Sequence, residues 1–190
     1  MMNKGYLTCD RTATGDEVLT PRYAVEPIIH YLKEKYFCQI LCPFDKSNSK
    51  FVEILQETGF IVDWSHIETG KDFFTYTKEQ IKNVDCIVSN PPYSIKDKVL
   101  EHLYYLDKPF MMLLPQNTLQ GVKRTKLFMK YGLEYLGFDK RINYYTKGEL
   151  DKIKKGNHFA SGYFCRNVLP EKLIFEELEI RDEKYDINNK

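Results

Sequence analysis

The stretch IVSNPPYS, residues 87–94, decides how this chain is read. Ile87, Val88 and Ser89 have the branched or small character of a buried strand, and they run straight into Asn90, Pro91, Pro92 and Tyr93. A strand-ending turn needs one proline, and neither an amide before it nor an aromatic ring after it. Average residue usage puts the tetrapeptide NPPY by chance in roughly one chain in a thousand of this length, so the run calls for a chemical reason besides a turn.

Outward from this stretch, strand and helix patterns alternate. DCIVS (85–89) reads as the strand, IKDKVLEHLYYL as a helix with Val99, Leu100, Leu103 and Leu106 on one side, and FMMLLP (110–115) as the next strand. Upstream, FCQIL (37–41) and FIVDW (60–64) are strands separated by SKFVEILQETG, a helix closed by Gly59. Before them, AVEPIIHYLKEKY follows Pro21 and spaces Val25, Ile28, Ile29 and Leu32 helically. Downstream, TLQGVKRTKLFMKYG reads as a helix ending at Gly132, and LEYLGF, RINYY (141–145) and FASGYFC (159–165) read as strands. KEQIKN is a short helix at best. Such alternation predicts an α/β domain, a mostly parallel sheet with helices on both faces. The expected organisation is a flexible arm over 1–18, one domain over 19–180 and a tail over 181–190. In this architecture ligands bind beyond the carboxyl ends of the strands, where SNPPY falls.

With 190 residues, 43% hydrophobic, the chain can bury a real core. Its net charge of +1 excludes a binder of nucleic acid by overall charge alone. Cys9, Cys38, Cys42, Cys86 and Cys165 lack CxxC or Cys/His ligand spacing, so reduced thiols, no metal and a cytoplasmic location are expected. No apolar run approaches the ~20 residues of a membrane span, and no signal peptide is legible. Charge is uneven. Residues 122–157 hold ten basic and four acidic side chains, whereas 171–190 hold seven acidic and four basic. These are either two solvated faces, or a basic wall facing phosphates and an acidic tail turned away from them.

The chemistry available at the motif is specific. The Asn90 amide oxygen and the Pro91 carbonyl are two acceptors, the second stiffened by proline. Together they suit a planar NH2 group, whose nitrogen lone pair is freed from conjugation when both N–H bonds are held. Tyr93 offers a flat face on which a base or amide stacks.

SNPPY resembles the signature of the S-adenosylmethionine-dependent amino-group methyltransferases, and most of the chain follows the motif order of their adenine-specific DNA members. That resemblance implies a Rossmann-like methyltransferase fold with an antiparallel C-terminal hairpin, S-adenosylmethionine as cofactor, and Asn90, Pro91, Pro92 and Tyr93 as the catalytic set. TPRYAVEPII (20–29) resembles the segment over the methionine part, which implies Thr20 and Pro21. FCQIL with Cys42, Pro43 and Phe44 resembles the first cofactor motif. GKDFF (70–74) resembles the motif in which Asp72 contacts the cofactor adenine and Phe73 lies beside it. RINYY resembles the hairpin that offers a second aromatic to a flipped base, which implies Arg141, Tyr144 and Lys147 beside Tyr93 on the substrate side. Small phage-encoded proteins of this kind are similar over PFD, SKFV, SHI, GKDFF, SNPPYS and FASGYFC.

The chain also departs from the family. After the first strand the family has an acid and then Gly-x-Gly, but here Cys42 holds the acid position and Lys46 and Asn48 the glycine positions. Either Asp45 takes over the ammonium of the methionine moiety, with Asn48 and Ser49 tolerating an unusual backbone, or the cofactor site is damaged. For the ribose hydroxyls, Asp63 alternates away from the strand end, while Ser65 and His66 lie nearer and Glu68 follows. Each also has a structural reading, His66 as a turn residue, Asp72 as a cap, Arg141 as an ion pair, and one of Tyr144 and Tyr145 as core. DNA is the expected partner and RNA the alternative, with the protein a monomer or weak dimer. The rival functions are methylation of RNA adenine or protein glutamine, or a binding module on a methyltransferase fold.

Overall fold

The computed structural model describes residues 18–146, 149–153 and 159–180. Apart from Val18, the N-terminal arm lies outside the described residues, as do the 181–190 tail, Lys147 and most of the 147–158 loop. In chain order the elements are β1 (Val18–Leu19), α1 (Arg22–Val25), α2 (Ile29–Glu34), β2 (Gln39–Cys42), α3 (Lys50–Glu57), β3 (Ile61–Trp64), β4 (Cys86–Ser89), α4 (Lys96–Leu106), β5 (Phe110–Pro115), α5 (Val122–Tyr131), β6 (Glu134–Phe138), β7 (Tyr145–Thr146), β8 (Glu149–Ile153), β9 (Ser161–Arg166) and β10 (Leu173–Glu176).

Seven strands form one sheet in the order β10-β6-β9-β5-β4-β2-β3. All neighbours are parallel except β9, which runs antiparallel between β5 and β6. Alternation along the strands sorts the core. Met111 and Leu113 point with Ile40, Cys42 and Val88 toward α1, α2 and α3. Phe110, Met112 and Leu114 point with Leu41 and Ile87 toward α4, where Val99, Leu100, Leu103 and Leu106 close the other face. Both faces are therefore apolar, which is why β4 and β5 read as unbroken hydrophobic runs.

Several local expectations are corrected. The helix after Pro21 is interrupted by a tighter turn at Glu26–Ile28, where Pro27 cannot supply a backbone donor. KEQIKN forms turns instead of a helix. TLQGVKRTKLFMKYG splits into a short turn at Gln116–Leu119 and α5, because Gly121 takes φ 142° between them. RINYY contributes only its last tyrosine to a strand, and that strand leaves the main sheet to pair with β1 and β8. The antiparallel element expected at the C-terminal end is β9, and the sheet continues past β6 into β10.

No helix among the described residues is long and apolar enough to cross a membrane. No group of three or more His, Cys, Asp or Glu side chains among them is placed to hold a metal.

Candidate active site

β2 pairs with β3 on one side and with β4 on the other, so the strand order reverses between β2 and β4. A crevice opens beyond the carboxyl ends of strands at such a reversal. The segments leaving these two strands are Pro43–Phe44–Asp45 and Asn90–Pro91–Pro92–Tyr93.

The first segment is held by Ser65. Its N–H donates to the Cys42 carbonyl (3.1 Å), its hydroxyl to the Pro43 carbonyl (3.4 Å), and its own carbonyl accepts from the Asp45 N–H (3.2 Å). Ser65 is fully buried, so it ties two loops together instead of facing a ligand. Asp45 turns beneath β4, where Ser89 Oγ donates to Oδ2 at 2.5 Å and Ser49 adds another hydrogen bond. Burial pushes the Asp45 carboxyl up to about 6 against the pull of those two hydroxyls. Among the described residues Asp45 has no ion-pair partner. A buried carboxylate without a cation is a fitting place for the ammonium of a methionine moiety. The unusual backbone expected at Asn48 and Ser49 is absent, since neither has positive φ. Ser49 instead is extended (φ −76°, ψ 148°) and caps α3 through the Val52 N–H. This loop therefore reaches its shape without glycine.

At β4, Asn90 Nδ2 donates to Thr20 Oγ1 at 3.0 Å. Its other amide atom, Oδ1, is buried and accepts no hydrogen bond from any described residue. An unsatisfied buried acceptor costs about 1–3 kcal/mol and calls for a ligand or a role. Thr20 is itself buried, between β1 and Pro21, which precedes α1. Thr20 and Asn90 are thus neighbours, and Thr20 spends its oxygen on the amide. Pro92 is extended (φ −55°, ψ 127°) and turns the chain into the short helix Tyr93–Ile95.

The half-buried Tyr93 ring stands edge-on to Phe159 (5.5 Å between centroids, 86°). Tyr144 lies behind, nearly parallel to Phe159 (6.3 Å, 29°), with its hydroxyl beside those of Tyr93 and Ser161. At 1% exposure Tyr144 is core, and Tyr145 is buried as well. RINYY therefore supports the Tyr93 ring from behind instead of presenting a second open face. Arg141 is exposed.

The remaining expected residues are partly committed elsewhere. His66 Nδ1 accepts from the Glu68 N–H (3.1 Å) and caps a turn, while Lys46 pairs with Glu68 across the two loops. Asp72 Oδ1 accepts from the Phe74 N–H (3.0 Å). Phe73 is 2% exposed, packed between Phe44 (4.9 Å) and His102 (4.9 Å, edge-on). Ser89, Phe159 and His102 were not singled out from sequence as site residues, and Ser49 was named for its backbone alone, not for its hydroxyl. Ser89 and Phe159 sit inside the quoted motifs, and that proximity was the signal available.

No family model matches this chain, and no curated protein matches it. Among solved structures it is similar to the "modification subunit of a putative type I restriction enzyme from Vibrio vulnificus YJ016", at 11% identity over 92% of this chain and 50% of that one, with a TM-score of 0.51. The chain has the Rossmann-like methyltransferase fold. It spans half the length of that subunit. A second structure, a "predicted O-methyltransferase" from Agrobacterium tumefaciens, is similar at 9% identity over 75% of this chain and 80% of that one, with a TM-score of 0.41. At such identities the likeness concerns the fold, and the chemistry has to be argued from the site.

Proposed function

We propose that this protein transfers a methyl group from S-adenosylmethionine to the exocyclic amine of adenine in DNA. The observation that carries the reading is the Asn90 Oδ1 at the reversal of strand order, buried and without a partner among the described residues. Thr20 occupies the donor side of that amide, so its acceptor side is left for a substrate N–H. The Pro91 carbonyl is the second acceptor, and its stiff backbone leaves little to reorganise during reaction. The cofactor supplies an electrophilic methyl group. Asp45 would hold its ammonium, Asp72 its adenine amine through the oxygen not used in capping, and Phe44 its apolar flank. Tyr93, backed by Phe159 and Tyr144, is the stacking surface for the base. RNA adenine and protein glutamine present the same NH2 group. Incubation with labelled cofactor and separate DNA, RNA and protein pools is expected to label DNA. Label in another pool replaces the substrate, and label in none refutes methyl transfer.

Tyr93→Ala is expected to lower methyl transfer about 5- to 150-fold, the 1–3 kcal/mol of one stacked base. Tyr93→Phe keeps most activity, since the ring does the stacking. Equal loss in both variants would move the role to the hydroxyl.

Phosphate contact is the second expectation. Of the basic segment, Arg124 is spent on Asp97, Thr118 and Gln120, and Lys140 on the Leu178 carbonyl and Asp139. Lys123, Lys126 and Lys130 are exposed on α5, which starts beyond the carboxyl end of β5, the same side of the sheet as Asn90. Reversing all three charges should flatten the slope of log affinity for DNA against log salt by up to ~3. An unchanged slope in a filter-binding titration would make α5 a solvated face.

A further inference from the structure

β10 is the last strand of the sheet, and among the described residues nothing pairs with its outer side. Its inner side is used. The Tyr135 N–H donates to the Lys172 carbonyl (2.9 Å) and the Asp139 N–H to the Glu176 carbonyl (3.1 Å). Because backbone groups alternate along a strand, those of Leu173 and Phe175 point away from the sheet, free to hydrogen-bond another strand. The same two residues carry the exposed apolar side chains of the edge, Leu173 at 56% and Phe175 at 64%. The Phe175 ring lies over Gly137, where any Cβ would come within 2.6 Å of it, so glycine lets this large ring lie flat on the sheet. An edge with open backbone groups and exposed apolar residues is a template for strand addition unless it is blocked. Here no proline or bulge blocks it.

The sequence of the edge fits one occupant. Lys172-Leu173-Ile174-Phe175-Glu176 is complementary to itself when run antiparallel about Ile174. Lys172 then faces Glu176 of the other copy at both ends, and Leu173 faces Phe175. Leu173 and Phe175 are also the residues whose N–H and C=O point outward, so they form the hydrogen-bonded pairs of this register. Lys172 is exposed and makes no ion pair with a described residue. Glu176 Oε1 accepts from the Tyr31 hydroxyl (2.5 Å) and lies 3.7 Å from His30 Nε2, which fixes the carboxylate and leaves Oε2 for the lysine.

We propose that β10 is a homodimerisation edge, pairing antiparallel with β10 of a second copy about a two-fold axis at Ile174. The interface is isologous, with each contact made twice. It is independent of the methyl-transfer reading. Five residues a side fall short of the ~1,000 Å² of a stable complex, so association is expected to be weak and to show only as concentration rises.

Sedimentation equilibrium tests this on the full chain. The weight-average mass of the parent should climb with concentration from 22.5 kDa toward twice that value. Lys172→Glu alone and Glu176→Lys alone should each stay at monomer mass, since like charges then oppose at both ends. An equimolar mixture of these two variants should associate at least as well as the parent, because each supplies the charges the other lacks. Recovery in the mixture also shows that both variants fold. A parent of constant mass, as when residues 181–190 or a different protein take the edge, overturns the proposal. So does a mixture that stays monomeric, or single variants that associate like the parent.

Discussion

An Asn90→Ala protein is expected to lose methyl transfer by roughly 10²–10³-fold while binding cofactor and DNA as the parent does, the pattern of a lost preorganised hydrogen-bond partner. The buried Oδ1 accepts no hydrogen bond from a described residue, so the resting protein loses only the Nδ2–Thr20 bond, about 1 kcal/mol, and the larger loss falls on the step in which the amine needs an acceptor. Thr20 tests the same geometry from its other side. Thr20→Val keeps the shape but removes the oxygen that receives Nδ2 at 3.0 Å, leaving the amide able to turn its NH2 toward the substrate. A smaller loss in kcat, about 2- to 12-fold, follows for one hydrogen bond, and Thr20→Ser restores it. Single-turnover rates with saturating cofactor measure both effects. Asn90→Ala methylating as fast as the parent would reduce SNPPY to an ordinary strand-ending turn.

Asp45→Asn is expected to weaken S-adenosylmethionine binding by about 10- to 150-fold, the 1.5–3 kcal/mol of a hydrogen bond to a charged group. The pH dependence follows from the same carboxyl. Burial holds it near 6, and only its ionised form attracts an ammonium. Affinity should therefore fall as pH drops through 6, by up to ~10-fold per unit, and level off above it. Stability runs the other way. The folded state holds the proton up to about 6 and the unfolded chain releases it near 3.8, so the ligand-free protein loses stability as pH rises across that window. The span corresponds to at most about 3 kcal/mol. Asp45→Asn should thus melt at or above the parent at pH 8 while its binding no longer varies between pH 5 and 8. Titration calorimetry and thermal melts at both ends of that range decide the matter. Undiminished binding by Asp45→Asn would remove Asp45 from the cofactor site.

The sequence determined the elements whose signals are local. β2 to β6 and β9 were legible as apolar runs, α3 as helical spacing closed by Gly59, and α4 as Val99, Leu100, Leu103 and Leu106 on one side. NPPY was legible because its acceptors and ring are consecutive in the chain. β10 was not, because its alternating exposure at an edge, flanked by glutamates, reads as part of an acidic tail. α5 was drawn too long, because the break at Gly121 is a matter of backbone angle.

What tertiary structure alone decided is which of these residues meet. Asp45 and Ser89 are brought together by the parallel register Ile40↔Cys86 and Leu41↔Ile87, and Thr20 reaches Asn90 across seventy positions. The same packing buried Tyr144 and Phe73 and spent His66 on a cap. The physical reason is that periodicity and turn chemistry act between near neighbours. The partner of a strand is chosen by how the whole sheet buries both of its faces, and no short segment carries that information.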